Sequence, residues 1–514
     1  MKTKRIALNS VLCLCSLFAM GQEEQTEVVF ETIREQTDSI ENVAHQQVDT
    51  VKMFTSEVDT LLIENTDSVS TTPVKRKKGL FAKKDSTVIK KGFSFGPLPV
   101  VAYDQDKGFQ YGALLNIYDY GDGSVYPHPR QQWYIEASAF TKGTQQYYLT
   151  YDTKHLIPHT RMSLAATCVY DKAMNFYGYN GYQSYYDVDS VSYWKKAKDK
   201  TGIRPEYMTA FYRLERLSVS FKADFIGNIW NNKLFWQGSY YFSYTRMRPI
   251  NLASINKGKD SVEMFSGQTL FEKYQDWGII QQKEGEGGFT SALRAGLMWD
   301  TRDFEADPSR GIWAEANITI APKFLGTTHP YYRYMAIFRH YLPIVRNQLT
   351  FAYRLNYQGT MGQYLPYYVI PTFSTIGREY DRDGVGGYRT ARGIERDRVL
   401  GLDAFFFNTE LRWKFVKFIL WNQNVSLGLN AFFDGAMVTR GYNLKYRGNP
   451  TDAKMMQEYH HYIDTSRKEG LHMSAGGGFR IIINRNFIIA VDYAYPFKKQ
   501  DGMGSLYINT GYLF

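Results

Sequence analysis

Arg392 is followed directly by Gly393, and two later stretches supply the carboxylates that a guanidinium could hold. Alternate residues of a strand share a face. Phe405, Phe407, Thr409, Leu411 and Trp413 therefore make one side, and Asn408, Glu410 and Arg412 the other. The next stretch repeats the split. Val425, Leu427, Leu429, Ala431 and Phe433 are apolar, and their alternates are Ser426, Gly428, Asn430, Phe432 and Asp434. Two neighbouring strands thus send Glu410 and Asp434 to one polar side, just after a Gly- and Arg-rich run from Gly377 to Gly401. A cation should meet them there. Arg392 is the natural candidate, because Gly393 allows close backbone approach and a planar guanidinium bonds two carboxylates at once.

The elements that must position these groups follow from composition and spacing. The chain is rich in Tyr, Phe, Trp and Gly, yet its mean hydropathy is negative. Nor does any apolar run reach the roughly 18 residues of a membrane helix. An aromatic, Gly-rich, overall polar chain of short alternating runs is the signature of a transmembrane β-barrel, in which half of each strand meets lipid. A large soluble all-β protein is the alternative. The barrel is preferred because about sixteen alternating segments can be marked between residues 96–104 and 505–514, one of them at 206–224. The four longest connections (171–205, 247–288, 359–401 and 437–470) then all fall on one side, expected to be extracellular. The expected fold is all-β, a 16-stranded antiparallel transmembrane barrel preceded by a disordered leader.

Residues 1–21 read as a signal peptide: Lys2, Lys4 and Arg5, an apolar stretch from Ile6 to Phe18, then Ala19-Met20-Gly21. Residues 22–91 read as a disordered, charged periplasmic leader, acidic from Gln22 to Thr72 and basic from Lys75 to Lys91, with too little apolar surface for a core. Its basic part could lie on anionic lipid or on the acidic part, or be a solvated linker. Residues 92–514 form the barrel. Export argues against nucleic acid as a partner. After cleavage only Cys168 remains, so no internal disulfide is expected.

Arg392-Gly393-Ile394, Glu410-Leu411-Arg412 and Phe432-Phe433-Asp434-Gly435 together resemble the BamA/TamA superfamily of outer-membrane assembly and translocation barrels. The resemblance implies that a long extracellular loop folds into the lumen. Its Arg392 would pair with Glu410 and Asp434, and Arg412, Phe433 and Gly435 would support them. Ile394 stands where the family usually has an aromatic residue. Leu297 to Asp303 with Pro308-Ser309-Arg310-Gly311 also resembles the superfamily's strand-turn-strand text. The leader is too short and polar for POTRA domains, so the resemblance covers only the barrel, and a POTRA-free form is expected. The closing Tyr512-Leu513-Phe514 resembles the signal by which outer-membrane proteins are themselves recognised.

At the other end of the barrel, Pro97 and Pro99 lie two apart, so the donors they lack would face the same neighbouring edge. If that edge meets the strand ending at Phe514, the seam between first and last strands is weak. The prolines could equally mark the approach to the barrel before pairing begins.

No Ser, His and Asp set forms a nucleophile elbow, His460-His461 lacks further metal ligands at useful spacing, and Asp381-x-Asp383-Gly384 lacks the bidentate Glu of a calcium loop. No enzyme activity, cofactor or metal is expected. The tyrosine-rich run Phe176 to Tyr182 could stack on sugar or lipid, or simply pack a loop. The resemblance implies a factor in the bacterial outer membrane that inserts other outer-membrane proteins or translocates a polypeptide, working through the lumen loop and a lateral seam. Its partners would be outer-membrane lipid, client proteins and accessory subunits. The alternative is a passive channel or a structural subunit of an outer-membrane complex.

Overall fold

Strand alternation in this chain sorts charge inward. In Tyr331–Val345 the buried positions are Tyr331, Arg333, Met335, Ile337, Arg339 and Tyr341, whereas Tyr332 and Ala336 between them are exposed. Two arginines on the enclosed face and apolar residues on the open one fit a wall between lipid and a polar lumen. The structure is a computed structural model that describes residues 91–514 except 105–106, 125–128, 189–190, 192–205, 259–263, 377–381, 421–422, 484 and 486. The expected signal peptide, and all of the expected leader but its last residue, lie outside the described residues.

The strands run in order: β1 (Phe93–Asp104), β2 (Gly108–Asp119), β3 (Gln131–Phe140), β4 (Thr144–Ile157), β5 (Thr160–Asn175), β6 (Arg213–Trp230), β7 (Leu234–Arg248), β8 (Gly287–Asp300), β9 (Gly311–Ala321), β10 (Tyr331–Val345) and β11 (Leu349–Met361). A small ribbon, β12 (Thr372–Phe373) with β13 (Arg382–Asp383), follows. Then come β14 (Asp403–Leu420), β15 (Gln423–Arg440), β16 (His472–Ile483), β17 (Phe487–Pro496) and β18 (Ser505–Thr510). All but the ribbon pair as antiparallel neighbours and close into one 16-stranded barrel. Among the described residues, no helix is long and apolar enough to cross a membrane.

One rim carries tight turns, several built on left-handed residues such as Asn231, Asn232 and Asn347. The opposite rim carries the four long connections, after β5, β7, β11 and β15. These are tied together by an aromatic core. Phe176 meets Tyr179, Phe271 and Tyr274 edge-on at 5.5, 5.7 and 5.2 Å, and Trp277 meets Tyr459 at 5.7 Å. Tyr177, Tyr179 and Tyr182 are buried too, so the tyrosine-rich run packs the loops and presents no open stacking platform.

Two of the strand boundaries that differ from expectation have a local cause. Residues 206–211 form a helical turn, and β6 starts only at Arg213. Ala210, Phe211 and Tyr212 are buried one after another in the loop core, where a period of two has no force. At the other end, β18 stops at Thr510. Gly511, at φ 86°, turns the chain inward, and Leu513 and Phe514 are buried against Tyr341 and Ala352.

Candidate functional site

β14 and β15 pair with Glu410 opposite Phe432 and Asn408 opposite Asp434, which sets Glu410 and Asp434 diagonally on the inner wall. The loop after β11 enters the lumen and delivers Arg392 between them. Arg392 Nε and Nη2 donate to the two Asp434 oxygens at 2.8 and 3.0 Å, and its main-chain N donates to Asp434 Oδ2 at 3.0 Å. Nη1 stands 2.7 Å from Glu410 Oε1, a charge contact, and bonds Asp492 on β17 at 3.4 Å. All four side chains are fully buried. The guanidinium lies 3.5 Å over the Phe432 ring, close enough for cation–π attraction. Three carboxylates around one guanidinium would be untenable without further cations. Arg412 Nε donates to Glu410 at 2.7 Å, and Arg480 donates to Asp492 at 2.7 and 2.9 Å.

The neighbouring residues hold the loop's shape. Gly393, at φ 82°, donates to Tyr507 Oη at 3.2 Å. Ile394 is buried with Val385, Val399 and Phe406, so an aliphatic side chain fills the loop tip. Arg354 donates to Asn408 and to the Arg389 carbonyl, and Asn408 donates to the Thr390 carbonyl, which stitches the loop to β11 and β14. A side chain at Gly435 would overlap the Phe407 ring. Phe433 is a correction. Residues two apart share a face, so the ring beside Asp434 inside the lumen is Phe432, whereas Phe433 meets Phe407 and Phe497 at 5.6 and 5.8 Å on the outer wall.

The seam is the other candidate. β1 pairs with β2 along its whole length, but with β18 only through Tyr103 opposite Ile508 and Asp104 opposite Tyr507. Gly92 accepts from Tyr120, and Phe109 accepts from Thr141 across the next ladder. Even-numbered residues of β1 therefore face β2, and odd-numbered ones, Pro97 and Pro99 included, face the seam. Among the described residues the edge from Phe93 to Ala102 has no strand beside it. Phe514 is a second correction: it does not border this edge. Arg412 Nη2 donates to its main-chain oxygen at 2.8 Å inside the lumen, and Arg354 sits 5.2 Å from its ring.

The Omp85 superfamily domain matches residues 157–514. The chain belongs to the Omp85 superfamily. Among solved structures, BamA from Haemophilus ducreyi lacking POTRA domains 1–3 is 14% identical, with 82% of this chain and 70% of that one covered and a TM-score of 0.48. CdiB from Acinetobacter baumannii is 12% identical, covering 82% and 60%, at a TM-score of 0.40. No curated protein matches. The family match starts at the last residue of β4, so most of the first four strands of this Omp85 barrel precede it.

Several charged residues of the Omp85 lumen escape sequence reasoning. Asp492 and Arg480 were signalled only by lone charges at inward positions of apolar strands. Arg398, fully buried, donates to the carbonyls of Gly181, Ser184 and Gln500 and so joins the lumen loop to two outer connections. A second ion cluster places Asp383 against Arg216, Arg396 and Lys107. On the long-loop rim, burial raises the Asp501 carboxyl, but bonds from His472 and Tyr182 and the charge of Arg398 outweigh it and hold it below the usual range. Asp501 therefore stays charged at neutral pH and fixes the connection after β17.

Gly393→Ala tests the loop geometry. A Cβ would stand 2.9 Å from Ala494 Cβ and 3.0 Å from its carbonyl carbon, on a backbone at φ 82°. The expected cost exceeds roughly 1 kcal/mol, seen as faster proteolysis of the loop. An unchanged cleavage rate would show that the loop tolerates a shift there.

Proposed function

We propose that this Omp85 barrel assists the insertion of other outer-membrane proteins, or the passage of a polypeptide, by opening at the β1–β18 seam while the lumen loop stays pinned through Arg392. The observation that carries this reading is the edge of β1 from Phe93 to Ala102, beside which no strand lies among the described residues. A row of free main-chain groups is a template on which an extended client strand adds. In hydrocarbon such groups are costly when unmet, and Pro97 and Pro99 remove two of the donors. A passive channel has no need of an open edge, and the loop that occupies the lumen would obstruct its flow. The barrel would sit in the bacterial outer membrane with residues 22–91 in the periplasm, and would act with accessory subunits.

The test reconstitutes the full chain in liposomes and follows folding of a client barrel by its heat-modifiable gel mobility, beside single-channel conductance in planar bilayers. Client folding should accelerate over empty liposomes while conductance stays small. Large, steady conductance with no effect on the client would leave the passive channel or the structural subunit in its place.

A further inference from the structure

The connection between β8 and β9 is longer and more ordered than a hairpin needs. Thr301 and Ile312 exchange main-chain and hydroxyl bonds at 2.8 to 3.2 Å. Asp303 caps the other flank, accepting from Ser309 N at 2.8 Å, Ser309 Oγ at 2.7 Å and Arg310 N at 3.2 Å. These bonds fix the base of the connection, whose tip runs from Phe304 to Pro308.

The tip is fastened far around the rim. Asp307 is buried and pairs with Lys414 of β14 at 2.5 Å and with Arg485, between β16 and β17, at 3.4 Å. Arg485 also pairs with Asp303 at 3.2 Å, donates to the Asp307 carbonyl at 3.0 Å and lies 4.6 Å over the Phe304 ring. In the order of the barrel, β10, β11, β14 and β15 stand between β9 and β16, so the contact with Arg485 joins turns that are not neighbours on the rim. The connection borders a lumen cavity of ≈ 780 Å³, whose lining includes Arg302, Glu305 and Ala306 from the connection, Met335 from β10, and His159 and Asn232 from neighbouring tight turns.

We propose that residues 301–310 are a latch across part of the tight-turn mouth of the lumen, held in place by the ion pairs of Asp303 and Asp307 with Lys414 and Arg485, and that its release widens the way into the bordering chamber. The fastening is suited to release. Arg485 is half exposed, so its pairs are weak and sensitive to salt, whereas the bonds at the base are short-range and keep the tip's shape when it swings. The latch stands apart from the insertase reading, since access to the chamber is measured without a client.

The experiment places a cysteine in the chamber, Met335→Cys, in the full chain in detergent. Its reaction with a charged, water-soluble maleimide is timed, and peptide mass mapping separates it from Cys168. Labelling should be slow in this background. It should rise at least tenfold with added Asp307→Asn, which removes the pairs with both Lys414 and Arg485, and should rise by a smaller factor with added Arg485→Gln or in 1 M sodium chloride with the latch unaltered. If Asp307→Asn does not fold, Arg485→Gln and the salt series decide. Rates unchanged by both would overturn the latch.

Discussion

Arg392→Ala should free the lumen loop, at a cost of roughly 3–5 kcal/mol, the range for removing one partner of a buried ion pair. The cost falls unevenly. Glu410 keeps Arg412, and Asp492 keeps Arg480, but among the described residues Asp434 has no side-chain cation other than Arg392. The stranded charge is therefore Asp434, on the inner face of β15. Adding Asp434→Asn should recover much of the loss, because the amide oxygen still accepts from the main-chain N of residue 392. Arg392→Lys should fall between, since one ammonium cannot span three carboxylates. Limited proteolysis of residues 377–401 and client assembly in cells read both effects. A loop as protected in Arg392→Ala as in the parent would remove the anchor from the mechanism.

Locking the seam should abolish activity. Tyr103 and Ile508 are opposed, and the facing of β1 makes them a hydrogen-bonded pair, whose Cα separation of about 5.5 Å suits a disulfide. Ladder bonds contribute only about 0.5–1.5 kcal/mol each in water, so two paired residues make a weak closure. With cysteines at 103 and 508, oxidation should reduce client insertion more than tenfold, and a reductant should restore it. Full activity in the oxidised protein would show that clients do not pass between β1 and β18.

Much of the barrel was legible because a membrane wall imposes its period of two on every strand. Tight turns and long connections on opposite rims then fixed the direction of each. The anchor was legible for a local reason, an Arg-Gly pair preceding two strands whose carboxylates share one parity. Asp492 was not, since it lies two strands beyond Asp434 in the barrel and only the register of β15, β16 and β17 brings it near. The latch was hidden likewise. Asp307 and Arg485 are far apart in sequence, and nothing in either stretch names the other. At Gly511 a glycine permitted the inward turn without requiring it, so extending the last strand to Phe514 was the natural error.

That inward turn bears on the prolines. Continuing the observed register, in which Tyr103 meets Ile508, would bring Tyr512 opposite Pro99 and Phe514 opposite Pro97. The two aromatic residues would thus arrive at the two positions where β1 has no N–H to offer, and their main-chain oxygens would go unmet in hydrocarbon. In the lumen, Arg412 donates to the Phe514 oxygen and lies 4.1 Å from the Tyr512 ring. The stretch from Gly511 to Phe514 thus has two possible hosts, and at Pro97 the wall lacks the donor that Arg412 supplies to Phe514 in the lumen.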